Sequence, residues 1–113
     1  MKKIFISYTL RDDNIDKKFL CILRDWIVNQ KYECYIDLLD NNYNEKGFQD
    51  RLIEILKTCD IFIRIDSIEY MNSKWTRMEI EEAKINGLKI VKISSEQLKK
   101  MVIENENLGE YLQ

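Results

Sequence analysis

The chain of 113 residues has no histidine, no proline, and only three glycines and three cysteines. Without histidine, Ser-His-Asp and Cys-His nucleophile systems are excluded, and zinc loses its commonest nitrogen ligand, so no metal site is expected. Gly47, Gly87 and Gly109 are too scattered to build a phosphate-cradling loop, which removes the P-loop and the glycine-rich dinucleotide fingerprint. Cys21, Cys34 and Cys59 are odd in number and unevenly spaced. They argue against a disulfide framework and fit a reducing cytosol, so a cytoplasmic location and core-packing roles are expected. A net charge of −2 gives no sign of a nucleic-acid surface or of attraction to an anionic membrane. No apolar run approaches the ~20 residues that cross a bilayer. The opening MKKIFISY lacks a full apolar region and a small-residue cleavage site, and reads as a first strand rather than a signal peptide.

What is present fits one soluble globular domain over 1–113, with 45% hydrophobic and 34% charged residues. Short β-branched and aromatic runs mark strands at 3–8, 33–37, 60–66 and 89–93. Between them, apolar residues recur at helical spacing. Ile15, Phe19, Ile22, Leu23, Trp26 and Ile27 predict a helix over about 13–30, capped by Asp12 or Asp13. Phe48, Leu52, Ile55, Leu56 and Cys59 predict another over about 46–58. A third over about 74–86 is capped by Ser73 or Asn72 and ended by Gly87. The last twenty residues suggest one or two short helices and no clear fifth strand. This alternation predicts an α/β, flavodoxin-like three-layer sandwich with a four- to five-stranded parallel sheet in the order 2-1-3-4. Within DIFIRID, Arg64 and Asp66 share one face and can pair, an unusual polar feature for a central strand. LLDNNYNEKG is a long polar loop, expected to be mobile.

The most informative stretch is SKWTRMEIEEAK. Trp75 and Glu79, four apart on a helix, share a face at a helix start just past a strand, where open α/β sheets bind ligands. An aromatic plate beside a carboxylate suits a flat cationic ligand. The plainer alternative packs Trp75 into the core and leaves Glu79 a solvated charge. On either view Glu79 is expected to be partly exposed, with little weight in stability. Glu82 shares its face, and Glu81 is a solvated charge.

Three segments, taken together, resemble Toll/interleukin receptor (TIR) domains. They are IFISY followed by Asp12; CYID with its loop and Gly47; and the run from CDIFIRID to KIVKI that carries Ser67, Tyr70, Ser73, Trp75, Glu79 and Gly87. The resemblance implies a TIR-type NAD⁺ nucleosidase that cleaves the nicotinamide–ribose bond by hydrolysis, cyclisation or ADP-ribose transfer. Immune signalling is its implied setting. The family's catalytic glutamate falls on Glu79, and substrate binding on Trp75, Ser7, Tyr8, Thr9, Asp37 and Ser67. NAD⁺ is then the substrate and no separate cofactor is expected. Implied partners are a second copy, through TIR–TIR contacts, and a downstream effector that senses a nucleotide product. Nicotinamide departs as a neutral molecule, so one carboxylate that stabilises an oxocarbenium-like sugar suffices. Two other readings remain open: a non-catalytic interaction module, and a nucleoside deoxyribosyltransferase-like enzyme that breaks an N-glycosidic bond with a carboxylate.

Overall fold

The computed structural model describes residues 1–37 and 48–112. Four strands, β1 (Lys3–Ser7), β2 (Glu33–Tyr35), β3 (Ile61–Asp66) and β4 (Lys89–Ser94), form an all-parallel sheet in the order β2-β1-β3-β4. Among the described residues, four helices cover it: α1 (Lys17–Asn29), α2 (Phe48–Lys57), α3 (Lys74–Ile85) and α4 (Ser95–Ile103). The architecture is the α/β flavodoxin-like sandwich expected from the alternation of short apolar runs and helical stripes. The sheet has four strands among the described residues. After β4 the chain enters α4 directly and ends in a short 3₁₀ turn at Leu108–Glu110.

The period-2 pattern of the strands sorts two cores. Ile4, Ile6, Ile61, Ile63 and Ile65 point to the side covered by α1 and α4, where Leu20, Leu23, Ile27, Leu98 and Met101 are buried with them. Phe5 and Phe62 point to the opposite side, against Leu52 and Leu56 of α2 and Ile80 and Ala83 of α3. Phe5 stacks on its register partners in both neighbouring strands, with ring centroids 5.4 Å from Tyr35 and 5.5 Å from Phe62. Each fully buried Ile or Phe contributes about 1.5–3 kcal/mol, so these faces fix the register.

Helix α1 departs from expectation at its start. It begins at Lys17, capped by Asp16, whose carboxylate accepts the Phe19 N–H at 2.7 Å. Asp12 is occupied elsewhere: its side chain accepts the Asn14 N–H at 2.9 Å and its carbonyl accepts the Ile15 N–H at 2.9 Å. Those bonds make it the pivot of the preceding turn. The apolar stripe also shifts. Leu20 is buried and Ile22 is exposed. Ile22 precedes Leu23 by one residue, so it stands about 100° round the helix from the centre of the stripe. Cys21, on the same outward side, is exposed and takes no part in the core, whereas Cys59 is buried. Ser73 caps α3 by accepting the Thr76 N–H, and Gly87 ends that helix at φ +71°, as expected. The loop LLDNNYNEKG, residues 38–47, lies outside the described residues, so its expected mobility has no structural counterpart here.

Candidate active site

In a 2-1-3-4 sheet the chain leaves β1 toward one edge and β3 toward the other. The crevice at the carboxyl ends of those two strands is where the fold offers a ligand site. The residues just past β1, β2 and β3 and the start of α3 meet there. Tyr8, Thr9, Leu10, Arg11, Asp37, Ser73 and Trp75 line a cleft of about 520 Å³.

Glu79 lies behind this wall. It is 3% exposed, which corrects the expectation of a partly exposed charge. The cause is packing: Ile80 and Ala83 seat α3 on the sheet and carry Glu79 inward with them. Its Oε1 accepts a hydrogen bond from the Ser7 hydroxyl at 2.8 Å. Burial raises the Glu79 carboxyl well above its usual value, and the negative charge of Asp37 raises it further. Hydrogen bonds from Ser7 and from the Trp75 side chain lower it without cancelling the rise. Trp75 and Glu79 thus meet, as their spacing of four predicts. Asp37 is itself buried, so two carboxyls act on each other at one end of the sheet.

Behind Ser7 stands Tyr70, a residue that the sequence marks only as an aromatic in a motif. Its hydroxyl lies 2.5 Å from the Ser7 Oγ, and the residue is wholly buried. Burial pushes its phenol well above the ordinary range. The Tyr70 N–H donates to the Ser67 carbonyl at 3.2 Å, and its own carbonyl accepts the Thr76 hydroxyl. The Arg64 guanidinium sits over its ring, 4.7 Å from the centroid. Arg64 is held in turn by Asp66, through Nε at 2.9 Å and Nη2 at 2.7 Å. The pairing expected of Arg64 and Asp66 is present, and it gives Arg64 a place: it fills the polar carboxyl end of a strand face that is apolar at Phe62.

Of the residues expected to bind substrate, Tyr8, Thr9, Asp37 and Trp75 line the cleft, and Ser7 joins it to Glu79. Ser67 does not join them. It lines a second cleft of about 670 Å³ with Asp12, Asp66, Glu69 and Ser95 among others, on the other side of Arg11. Its part in the first cleft is indirect, through the turn that places Tyr70. Arg11 was missed by sequence reasoning. It is the one basic side chain among the described residues lining the first cleft, and its Nη1 donates to the Asn72 carbonyl at a long 3.4 Å. Its position just past the first strand was the available signal. Glu81 is exposed and faces Lys84 at 3.8 Å, an ordinary surface pair. Among the described residues, no group of three or more Cys, Asp or Glu side chains is placed to hold a metal ion, and no helix is long and apolar enough to cross a membrane.

No protein-family model and no curated protein matches the chain, so its likeness to TIR domains rests on the motifs quoted above. Among solved structures it is similar to a CMP N-glycosidase from Clostridium botulinum. The two are 24% identical with a TM-score of 0.61, over 94% of this chain and 84% of the other. At that identity the likeness speaks for the fold.

Proposed function

We propose that this protein cleaves the N-glycosidic bond of a nucleoside or nucleotide, with Glu79 acting at the anomeric carbon. The observation that carries the reading is the pair Glu79 and Asp37: both are buried, the Asp37 charge raises the Glu79 carboxyl, and Asp37 stands on the cleft wall. An ordinary nucleobase leaves poorly as an anion and needs a proton as the bond breaks. Nicotinamide does not. Two neighbouring carboxyls that share one proton supply both requirements. As that shared proton passes to the departing base, both carboxyls are left ionised. Glu79, steadied by Ser7, faces the sugar as a carboxylate and stabilises the oxocarbenium-like charge. Water or a second base then takes the sugar. Trp75 and Tyr8 offer surfaces on which a base can stack. The fold shared with a CMP N-glycosidase adds weight to a nucleotide as the substrate class.

NAD⁺ cleavage of the TIR type is the second reading. It is favoured by Trp75, whose indole stands beside Glu79 where a cationic nicotinamide would profit from it. One experiment separates the two. The protein is incubated with deoxynucleosides, with nucleoside 5′-monophosphates including CMP, and with NAD⁺, and free base is measured by chromatography. Release from the first two classes supports the proposal. Release from NAD⁺ alone transfers the assignment to the second reading, and no release from any of them removes both.

A further inference from the structure

We propose that Tyr70 is a positioning residue for Glu79, acting through the Ser7 hydroxyl. The inference rests on the reading of Glu79 as the reacting carboxyl and adds a residue that does not line the cleft. A serine hydroxyl has one proton to give. With that proton on Glu79 Oε1 at 2.8 Å, the 2.5 Å contact to Tyr70 is made by the phenol donating to Ser7. The order of donation is therefore Tyr70 to Ser7 to Glu79 when the carboxylate is ionised. When Glu79 holds a proton, the chain can run in reverse, with Glu79 donating to Ser7 and Ser7 to Tyr70. Phenol and serine can each serve as donor or acceptor, so Ser7 keeps its place in both protonation states.

Such a chain positions a carboxyl only if its far end is fixed, and Tyr70 is fixed from several sides. Its amide is bound to the Ser67 carbonyl, its carbonyl takes the Thr76 hydroxyl, and its ring lies under the Arg64 guanidinium. Arg64 is itself clamped on Asp66. Ser7 and Arg64 are register partners on adjacent strands, so one face of the β1–β3 pair presents both to Tyr70. Three chain segments converge: β1 brings Ser7, the turn after β3 brings Tyr70, and α3 brings Glu79 and Thr76. The charged and titratable groups around Glu79 are Asp37 beyond β2 and Tyr70 behind Ser7, with Arg64 and Asp66 of β3 acting on Tyr70.

The test is Tyr70→Phe, which keeps the ring under Arg64 and deletes the hydroxyl. Ser7 then becomes a weaker donor and the carboxylate is held less well. The expected result is a roughly tenfold fall in kcat, the worth of a hydrogen bond into a charged group, with KM unchanged. The limb of the pH profile set by Glu79 should move to higher pH. Carbon-13 NMR of the Glu79 carboxyl should show the same upward shift, a readout that needs no turnover. In the unmutated protein, the Tyr70 Cζ resonance should follow the titration of Glu79. A Tyr70→Phe protein with wild-type kcat and an unshifted Glu79 titration would overturn the proposal. Should the variant not fold, a wild-type Tyr70 Cζ resonance that ignores Glu79 would do so instead. A wild type that releases no base at all would remove the N-glycosidic reading and leave the NMR titration to decide this one.

Discussion

The Ser7 hydroxyl donates to Oε1 of Glu79 at 2.8 Å across 72 residues of chain. One residue ends the first strand and the other lies in the second turn of a helix that follows the third strand. Neither has a local reason to be polar and buried. Ser7 is wholly buried and Glu79 nearly so. The bond between them satisfies a donor and an acceptor that would each be costly to bury alone.

This contact changes what Glu79→Gln should do. If the carboxylate stabilises a cationic sugar, its removal costs roughly 10²–10³-fold in rate. The effect on stability depends on pH. The Glu79 carboxyl is raised above its ordinary value of 4.5 in the folded chain. Its contribution to stability is therefore fully present below that value and is lost as pH rises through the folded one. The Gln variant has no such loss. Melting temperatures of the two proteins from pH 4 upward should diverge in favour of Glu79→Gln, and parallel curves would contradict the burial of the charge.

Arg11 provides a test of substrate class. A guanidinium on the cleft wall, held among the described residues by one long bond to a carbonyl, has donors left for a phosphate. Arg11→Gln should raise KM for a nucleoside 5′-monophosphate by about tenfold or more and leave the matching nucleoside unchanged. Steady-state kinetics on the two substrates measures this. An equal loss on both would mean that Arg11 supports the cleft and does not read a phosphate.

Trp75 is half-buried, packed against the α2–α3 core and lining the cleft at once. Trp75→Ala should therefore lose on both counts, with about 1–2 kcal/mol of stability and a higher KM. Trp75→Phe keeps most of the packing and a stacking face, and should recover most of both. Urea denaturation and KM on the three proteins decide; a KM that stays constant would show that the indole has a packing role alone.

Arg64→Met should cost about 1–3 kcal/mol, because among the described residues it leaves the half-buried Asp66 with Lys92 alone as an ion-pair partner, 3.8 Å away and largely exposed. Arg64→Lys should rescue little of this. An ammonium cannot make two contacts with Asp66 and lie flat over Tyr70. Lys92→Met, at the exposed pair, should change stability by less than about 1 kcal/mol. Denaturant midpoints of the three variants check the order.

The thiols should separate by environment. Cys21 is exposed, whereas burial pushes the Cys59 thiol up to about 11. With a disulfide reagent at pH 8, Cys21 should react promptly and Cys59 only on unfolding. Mass spectrometry of the modified peptides identifies which has reacted.

Local pattern was enough for most of the architecture. Isoleucines alternating with Phe62, Arg64 and Asp66 in DIFIRID assign residues to two sheet faces before any contact is known, because a strand's period is two. Ser73 and Gly87 bracket α3 through capping chemistry that acts within one turn. The order 2-1-3-4 follows from the alternation of strands and helices and the handedness of crossovers. The boundary that local pattern missed, at α1, turned on which of several nearby aspartates caps. Asp12, Asp13 and Asp16 have the same chemistry, and the turn that engages Asp12 selects Asp16.

The site was legible only in part. Trp75 and Glu79 sit four apart on one helix, so their meeting is written in the spacing. Their burial is not. It depends on how deeply α3 seats on Phe5 and Phe62, which no window of α3 contains. The same holds for Ser7 with Tyr70, 63 residues apart, and for Asp37, whose charge reaches Glu79 from beyond another strand. Periodicity and capping are short-range and survive as sequence signals. Desolvation and long-range hydrogen bonds arise when separate segments exclude water together, and that was decided by the tertiary structure alone.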